Sequence, residues 1–112
     1  MKQLSEMFKK QLVQRIIRNL LDVFILQIIQ KQPTWGYRIK KKVEEEYGVT
    51  LRHGALYPLL NMLEKGGYLT SKMERMGGRT RKTYKITPKG RQYLDAYYSF
   101  LREQIRDESE RQ

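Results

Sequence analysis

The sequence predicts an α+β fold that is mostly α-helical, because helical patterns occupy both ends of the chain and two strand patterns lie between them. The most informative stretch is residues 53–87. Its first part carries leucines at helical spacing on one face, namely Leu56, Leu59, Leu60 and Leu63. Its second part has two strand-like segments around a glycine pair. A short helix followed by such a hairpin predicts a winged helix-turn-helix.

The short helix is predicted over about residues 53–65. Its other face carries His53, Tyr57 and Asn61 at i, i+4 spacing, where no apolar partner is expected. We place Pro58 in or near the first turn, where a missing N–H costs little. The glycine pair at residues 66–67 is expected to end the helix. The polar face is therefore the candidate recognition surface.

The hairpin is predicted from strands at residues 68–76 and 80–87, joined by a glycine pair that supplies positive φ angles. Tyr84 and Ile86 are expected in the core, and the wing is placed at about residues 69–87. Between Lys72 and Arg91 there are eight basic side chains and one acidic one, whereas the tail after Arg91 is net acidic. Such a cationic segment predicts a polyanionic partner. A membrane surface is disfavoured, because the segment lacks the apolar face of an interfacial helix.

Composition excludes several classes of protein. The chain has 112 residues, a formal net charge of +11, no cysteine and one histidine. Disulfide frameworks, thiolate metal sites and multi-histidine centres are therefore excluded. The glutamates at residues 44–46 are interpreted as a solvated helix face rather than as catalytic carboxylates. We expect one domain that is not an enzyme and has no cofactor or metal, stabilised by something extra such as a partner subunit.

The N-terminal third is predicted to be helical. Residues 19–30 are nearly apolar all round, which is typical of a central core helix, whereas residues 4–17 are apolar on one side only. Asp22 and Gln27 interrupt the apolar run, which is too short to span a bilayer, so we expect a soluble, cytoplasmic protein without a membrane partner. The one-sided helix, residues 1–18, is predicted to be an extension that covers its own domain or packs on a second subunit.

The next helix is predicted to begin after Thr34, acting as N-cap, and to run to about Tyr47, with Gly48 as its C-cap. Its inward face is formed by Ile39, Val43 and Tyr47. Residues 49–51 are a short link, with a small strand as the alternative. This helix and the one over residues 53–65 would form the helix-turn-helix. The DNA-binding domain is thus assigned to residues 19–88.

The last helix, in a C-terminal segment of residues 89–112, is predicted to start with Thr87 as N-cap and Pro88 at its first position, and to reach about Glu108. It carries an apolar stripe at helical spacing, formed by Leu94, Tyr97, Tyr98, Leu101 and Ile105. Packing on the N-terminal helix of the same chain is one interpretation of this stripe. We favour a homodimer interface, because palindromic DNA sites require two-fold symmetry.

In several blocks the sequence resembles PadR-family transcriptional regulators. The blocks are Gly36-Tyr37, Leu56-Tyr57-Pro58, residues 63–69 (LEKGGYL), and residues 79–90 (RTRKTYKITPKG), in order and at plausible spacing over residues 20–94. The resemblance implies a homodimeric winged helix, usually a repressor, whose C-terminal helix mediates dimerisation. It also implies that a small aromatic or drug-like effector could act on the protein. The single short C-terminal helix resembles the small subclass of the family.

Candidate DNA contacts follow from the residue types. Asn61 can pair bidentately with adenine, and Tyr57 can donate its hydroxyl to a phosphate. Arg52 and His53 stand at a helix N-terminus, where the dipole favours phosphate, although a capping role for His53 is equally open. The tip of the wing adds Arg79, Arg81 and Lys82 as contacts to the backbone or minor groove.

Three further assignments concern the start of the second helix. Tyr37 resembles the backbone-contacting tyrosine of the family, with a core tyrosine as the alternative. Lys40, on the outward flank, is added to the DNA-binding set. Trp35 has two interpretations, a residue at the edge of the core or part of an effector pocket near the dimer interface.

The favoured function is therefore sequence-specific transcriptional regulation, with a homodimer that represses by binding a palindromic operator in double-stranded DNA. The alternative is an architectural chromatin protein that coats DNA without reading its sequence. A protein-interaction module is a third class, and the cationic hairpin argues against it.

Overall fold

Within residues 2–111, the part of the chain that the computed structural model describes, there are five helices and three strands. In chain order they are α1 (Lys2–Asn19), α2 (Leu21–Lys31), β1 (Thr34–Trp35), α3 (Gly36–Tyr47), α4 (His53–Lys65), β2 (Leu69–Met76), β3 (Arg79–Ile86) and α5 (Pro88–Arg111). The three strands form one antiparallel sheet in the order β1-β3-β2. The predicted winged helix-turn-helix with a helix at each end is confirmed.

Helix α2 is the centre of the core, as its apolar composition predicts. Its buried side chains are Leu21, Val23, Ile25, Leu26 and Ile29. Leu20, with φ −120° and ψ 33°, separates α2 from α1. Helix α1 packs on α2 and α3 near its C-terminal end, where Ile17 is buried. The apolar side chains before Ile17 are exposed, namely Leu4, Met7, Phe8, Leu12 and Ile16.

The prediction that Thr34 caps the second helix is wrong. Thr34 and Trp35 form strand β1, in which Thr34 pairs with Tyr84 and Trp35 with Thr83. Helix α3 therefore begins at Gly36, and Trp35 at its N-cap position makes no capping side-chain hydrogen bond. The helix ends as predicted at Gly48, which has φ 66°. The alternative of a strand at residues 49–51 is also wrong, although Val49 and Leu51 are buried.

Helix α4 has the predicted bounds and the predicted buried face. Leu56, Leu60 and Leu63 are buried against the core, and Leu59 is half-buried. The helix ends in a Schellman motif, in which the Tyr68 N–H donates to Leu63 O and the Gly67 N–H donates to Glu64 O. Gly67 takes the left-handed conformation, with φ 81°. Pro58 is the sixth residue of the helix, so its predicted place in or near the first turn is wrong, because the helix already begins at His53.

The hairpin of β2 and β3 is the wing. Its register runs from Leu69 opposite Ile86 to Met76 opposite Arg79. Gly77 and Gly78 form the turn with φ angles of 57° and 79°, the pair of positive values that a type I′ turn requires. Tyr84 and Ile86 are buried, as predicted.

Helix α5 starts as predicted, because Thr87 Oγ1 accepts a hydrogen bond from the Gly90 N–H at 3.1 Å. The helix continues to Arg111, beyond the predicted end at Glu108. It packs mainly on α2 and also on β3. The prediction that Leu94 belongs to a dimer interface needs correction, because this side chain is fully buried in the core of its own chain. Tyr97, Tyr98 and Leu101 are half-buried, and Ile105 is 67% exposed.

None of the helices within residues 2–111 is both long enough and apolar enough to cross a membrane. The hydrophobic core is formed by the inner faces of α2, α3 and α4 together with the base of the wing and the start of α5.

We predict that Gly90→Ala destabilises the fold by about 1–3 kcal/mol, because there is no room for a side chain there. A Cβ at this position would overlap the Tyr68 carbonyl oxygen and lie 2.7 Å from Ile86 Cγ1. Gly54→Ala is the matched control, because Gly54 is also helical and has open space around it. This control should stabilise by about 0.5–1 kcal/mol. Urea unfolding measures both changes, and equal effects would contradict the packing described here.

Candidate nucleic-acid interface

The outer face of α4 presents the polar side chains that the sequence predicts. His53, Tyr57 and Asn61 are all exposed. The rings of His53 and Tyr57 stack with centroids 5.6 Å apart. The Tyr57 ring also lies over Gly36, where a Cβ would be 2.6 Å from Tyr57 Cε1. The glycine at the start of α3 thus leaves space for an aromatic side chain of the candidate recognition helix.

A groove of about 440 Å³ runs between α4, the start of α3 and the wing. Six of the nine predicted DNA contacts line it, namely Tyr37, Tyr57, Asn61, Arg79, Arg81 and Lys82. Arg52 and His53 are exposed at the N-terminal end of α4, outside the lining of this groove. Lys40 is half-buried on α3 and does not line this groove either. Side chains from three separate elements are therefore brought together on one face.

The cationic surface extends further than the sequence predictions. A wider groove of about 830 Å³ next to the first is shared by the wing arginines and helix α3. From α3 it includes Arg38, Lys41 and Lys42, which were missed as candidate contacts. Their i, i+3 and i, i+4 spacing places them on one side of the helix. This spacing could have identified them as candidate contacts from the sequence. Glu45 is the acidic side chain in the same lining.

Trp35 lies at the junction between the helix-turn-helix and the wing. The Arg81 guanidinium carbon lies 4.5 Å from the centroid of its ring, and that of Arg38 lies 5.9 Å away. The indole Nε1 is buried and has no hydrogen-bond partner among residues 2–111. These contacts agree with the interpretation of Trp35 as a core-edge residue. They also fix the direction of Arg81, because a guanidinium stacks favourably on an indole face.

Tyr37 is 53% exposed, so the alternative of a core tyrosine is wrong. The Lys41 ammonium lies 5.6 Å from the centroid of its ring. Tyr37 therefore has a free hydroxyl end on the same surface as the wing arginines.

Two ion pairs reduce the free positive charge of the wing. Lys82 Nζ lies 3.0 Å from Glu64 Oε1, and Lys72 Nζ lies 2.9 Å from Glu74 Oε1. Hydrogen bonds from Ser71 and Lys82 hold the pKa of Glu64 below its ordinary value. The hydrogen bond to Glu64 raises the pKa of Lys82. The Lys82–Glu64 pair is therefore ionised at neutral pH.

We predict that Arg81→Ala exposes the indole of Trp35 to solvent. Trp35 is the only tryptophan in the sequence, so intrinsic fluorescence reports on it alone. The Stern–Volmer constant for acrylamide quenching should rise in Arg81→Ala, because the guanidinium no longer covers the ring. Arg75→Ala is the control, since Arg75 pairs with Thr80 near the tip of the wing. An unchanged constant in Arg81→Ala would show that the stack is absent in solution.

The sequence pattern of the PadR-like family of transcriptional regulators matches residues 25–96 of this chain. A transcriptional regulator of Mycobacterium tuberculosis is 38% identical over 61 residues. That match covers 54% of this chain and 57% of the relative, so it spans little more than half of the relative's length.

Solved structures with the same fold include a PadR-family regulator from Clostridium difficile. It has a TM-score of 0.70 at 28% identity, and the match covers 76% of this chain and 90% of that one. PadR of Bacillus subtilis in complex with operator DNA has a TM-score of 0.65 at 29% identity, over 70% of this chain and 45% of that one. The chain therefore belongs to the PadR-like family, whose members are transcriptional regulators rather than enzymes.

Proposed function

We propose that this protein is a homodimeric repressor that binds a palindromic operator in a sequence-specific manner. The observation that carries the proposal is the single groove in which α4, the start of α3 and the wing bring their polar and cationic side chains together. A relative of the same fold, PadR of Bacillus subtilis, is bound to operator DNA. A helix-turn-helix places its second helix in the major groove, and α4 is that helix here.

Each element has its own proposed role. Asn61 reads a base edge, because its amide can pair bidentately with adenine N6 and N7. Tyr57 donates its hydroxyl to a phosphate. Arg52 and His53 bind phosphate at the N-terminus of α4, where unpaired backbone N–H groups favour anions. Asn61 thus discriminates between DNA sequences, whereas the phosphate contacts set the position of the protein along the duplex.

The wing and helix α3 supply the sequence-independent part of the affinity. Arg79 and Arg81 reach the backbone or the minor groove from the wing. Tyr37 and Lys40 contact the backbone from α3, together with the cationic side chains Arg38, Lys41 and Lys42 that share the wider groove. Each phosphate neutralised releases counterions, so binding weakens as salt rises.

Sequence-specific binding is preferred over architectural binding because of the exposed face of α4. A protein that only coats DNA needs cations, whereas Asn61 on this face is neutral and matches a base edge. Repression follows if the occupied operator overlaps a promoter.

Dimerisation is proposed through the two terminal helices. The exposed apolar row on α1 includes Leu4, Phe8 and Leu12. A contiguous apolar surface of this kind is typical of a protein–protein interface. On α5, Phe100 and Ile105 are exposed beyond the half-buried Tyr97, Tyr98 and Leu101. A second copy could bury both surfaces and generate the two-fold axis that a palindrome needs.

A small aromatic effector is also proposed, with Trp35 as the candidate contact. The Trp35 ring carries Arg81 on its face, so an effector stacked there would displace a wing arginine. Such a ligand would compete with DNA binding directly.

We predict opposite signatures for Asn61→Ala and Arg79→Ala in fluorescence-anisotropy titrations. Asn61→Ala should lose about 1–3 kcal/mol on the preferred DNA and little on random DNA, because it removes a base contact. Arg79→Ala should weaken binding to both duplexes and reduce the slope of log K against log salt by about 0.9, because it removes a phosphate contact. Equal losses on both duplexes for Asn61→Ala would contradict its assigned role.

We also predict that the protein sediments as a dimer, with twice the chain mass of 13.5 kDa. Leu12→Glu and Ile105→Glu should each yield folded monomers, because both side chains are exposed in the isolated chain and only a partner would bury them. Met73→Glu, on the wing, is the control for an added charge at an exposed apolar position. Sedimentation equilibrium measures the mass. A monomeric wild-type chain would overturn the dimer.

A further inference from the structure

One carboxylate connects the recognition helix to both strands of the wing. Glu64 is the penultimate residue of α4. Its Oε2 accepts a hydrogen bond from the Ser71 hydroxyl on β2, and its Oε1 forms the 3.0 Å ion pair with Lys82 Nζ on β3. The loop that joins α4 to β2 is short and consists of Gly66, Gly67 and Tyr68.

The register of the hairpin explains why both side chains reach the same carboxylate. Ser71 is opposite Tyr84, and Lys82 is opposite Met73, so the two residues are diagonal neighbours. Diagonal neighbours project from the same face of a hairpin. That face is directed toward α4, where Tyr84 is buried. Glu64 of α4 therefore contacts both strands from the same side of the hairpin.

The Lys82 ammonium is already engaged within the protein. Besides Glu64, it lies 5.5 Å from the centroid of the Tyr84 ring. A DNA phosphate would have to share this ammonium with the Glu64 carboxylate, whose negative charge opposes the approach of a second anion. Arg79, in contrast, is exposed near the turn of the wing and makes no ion pair within residues 2–111. The two cations are therefore not equivalent, although the sequence places both in the wing.

We propose that Glu64, Ser71 and Lys82 form a latch that fixes the angle between the recognition helix and the wing, and that Lys82 is a positioning residue rather than a phosphate contact. This inference rests on the proposed function and removes Lys82 from the DNA contacts that the sequence predicts. Recognition helix and wing must meet one duplex at the same time. A latch that orients them in the free protein reduces the entropy lost on binding.

The latch acts on geometry more than on stability. The Glu64 and Lys82 side chains keep 31% and 42% of their surface exposed. An ion pair with that exposure contributes little to folding, because water screens it. The consequence of breaking the latch is therefore expected in DNA affinity and not in the unfolding transition.

Glu64→Gln separates the two roles of Lys82 by the sign of its effect. If Lys82 contacted phosphate, removing the nearby carboxylate would free the ammonium and strengthen binding. If Lys82 positions the wing, the same substitution loosens the hairpin and weakens binding, although a negative charge has been removed from the DNA-facing side. Removing the negative charge of Glu64 would by itself strengthen DNA binding, so a loss of affinity must come from the loosened hairpin.

The experiment titrates a fluorescein-labelled 30-base-pair duplex of mixed sequence with the full-length protein over a series of salt concentrations. The variants are Glu64→Gln, Lys82→Ala, their double mutant, Lys82→Arg and Arg79→Ala. We expect Glu64→Gln and Lys82→Ala each to weaken binding about three- to tenfold, the scale of a few lost orientational restraints. The double mutant should be no weaker than either single variant, and Lys82→Arg should retain wild-type affinity.

The salt dependence provides the second readout. Lys82→Ala should leave the slope of log K against log salt unchanged, whereas Arg79→Ala should reduce it by about 0.9. A stronger complex for Glu64→Gln, or a slope reduced by about 0.9 for Lys82→Ala, would overturn the proposal and make Lys82 a phosphate contact.

The contact itself can be tested without DNA. Carbon-13 NMR titration of the Glu64 carboxyl should show its pKa moving up toward the ordinary value in Lys82→Ala. Ser71, which makes the larger contribution to the lowered pKa, stays in place in this variant, so an unchanged pKa would mean that the Lys82–Glu64 contact of the latch does not form. Absence of duplex binding by the wild-type protein would instead overturn the proposed function, and the carboxyl titration keeps these two failures distinct.

Discussion

The burial of the leucine face of α4 is the interaction on which the rest of the structure depends. Leu56, Leu60 and Leu63 insert between α2, α3 and the base of the wing. Each buried leucine contributes about 1.5–3 kcal/mol, which is large beside the marginal stability of a small domain. Because this face is anchored, the opposite face with Tyr57 and Asn61 is held outward in a fixed orientation. The core thus determines which side chains are presented to a partner.

The wing is attached to this core by contacts of two kinds. At its base, the pairing of β1 with β3 and the burial of Tyr84 and Ile86 join it to the helix-turn-helix. Farther out, Arg81 stacks on Trp35, and Lys82 pairs with Glu64. Consecutive residues of a strand point to opposite faces, so these two cations brace the hairpin from both sides. Positive charge on the wing therefore has structural roles as well as its proposed role toward DNA.

Much of the fold could be predicted because its signals are local. The leucine spacing of α4, the glycine pairs at 66–67 and 77–78, and the Thr87 cap each depend on a few neighbouring residues. Strand β1 could not be predicted in this way, because its two residues form a strand only by pairing with Thr83 and Tyr84 far along the chain. The same reason applies to Glu64, whose partners follow from the hairpin register. Six predicted contacts meet in one groove, and their roles toward DNA stay predictions.

The proposed mechanism is that the outer face of α4 reads the DNA sequence while the wing supplies positive charge. Its most direct test is a fluorescence-anisotropy titration at two salt concentrations, with DNA from upstream of the protein's own gene and with shuffled DNA of the same composition. A preference of about a thousandfold or more for the upstream DNA, retained as salt rises, is the predicted result. Equal affinities for the two duplexes with a steep salt dependence would contradict the claim and favour an architectural protein.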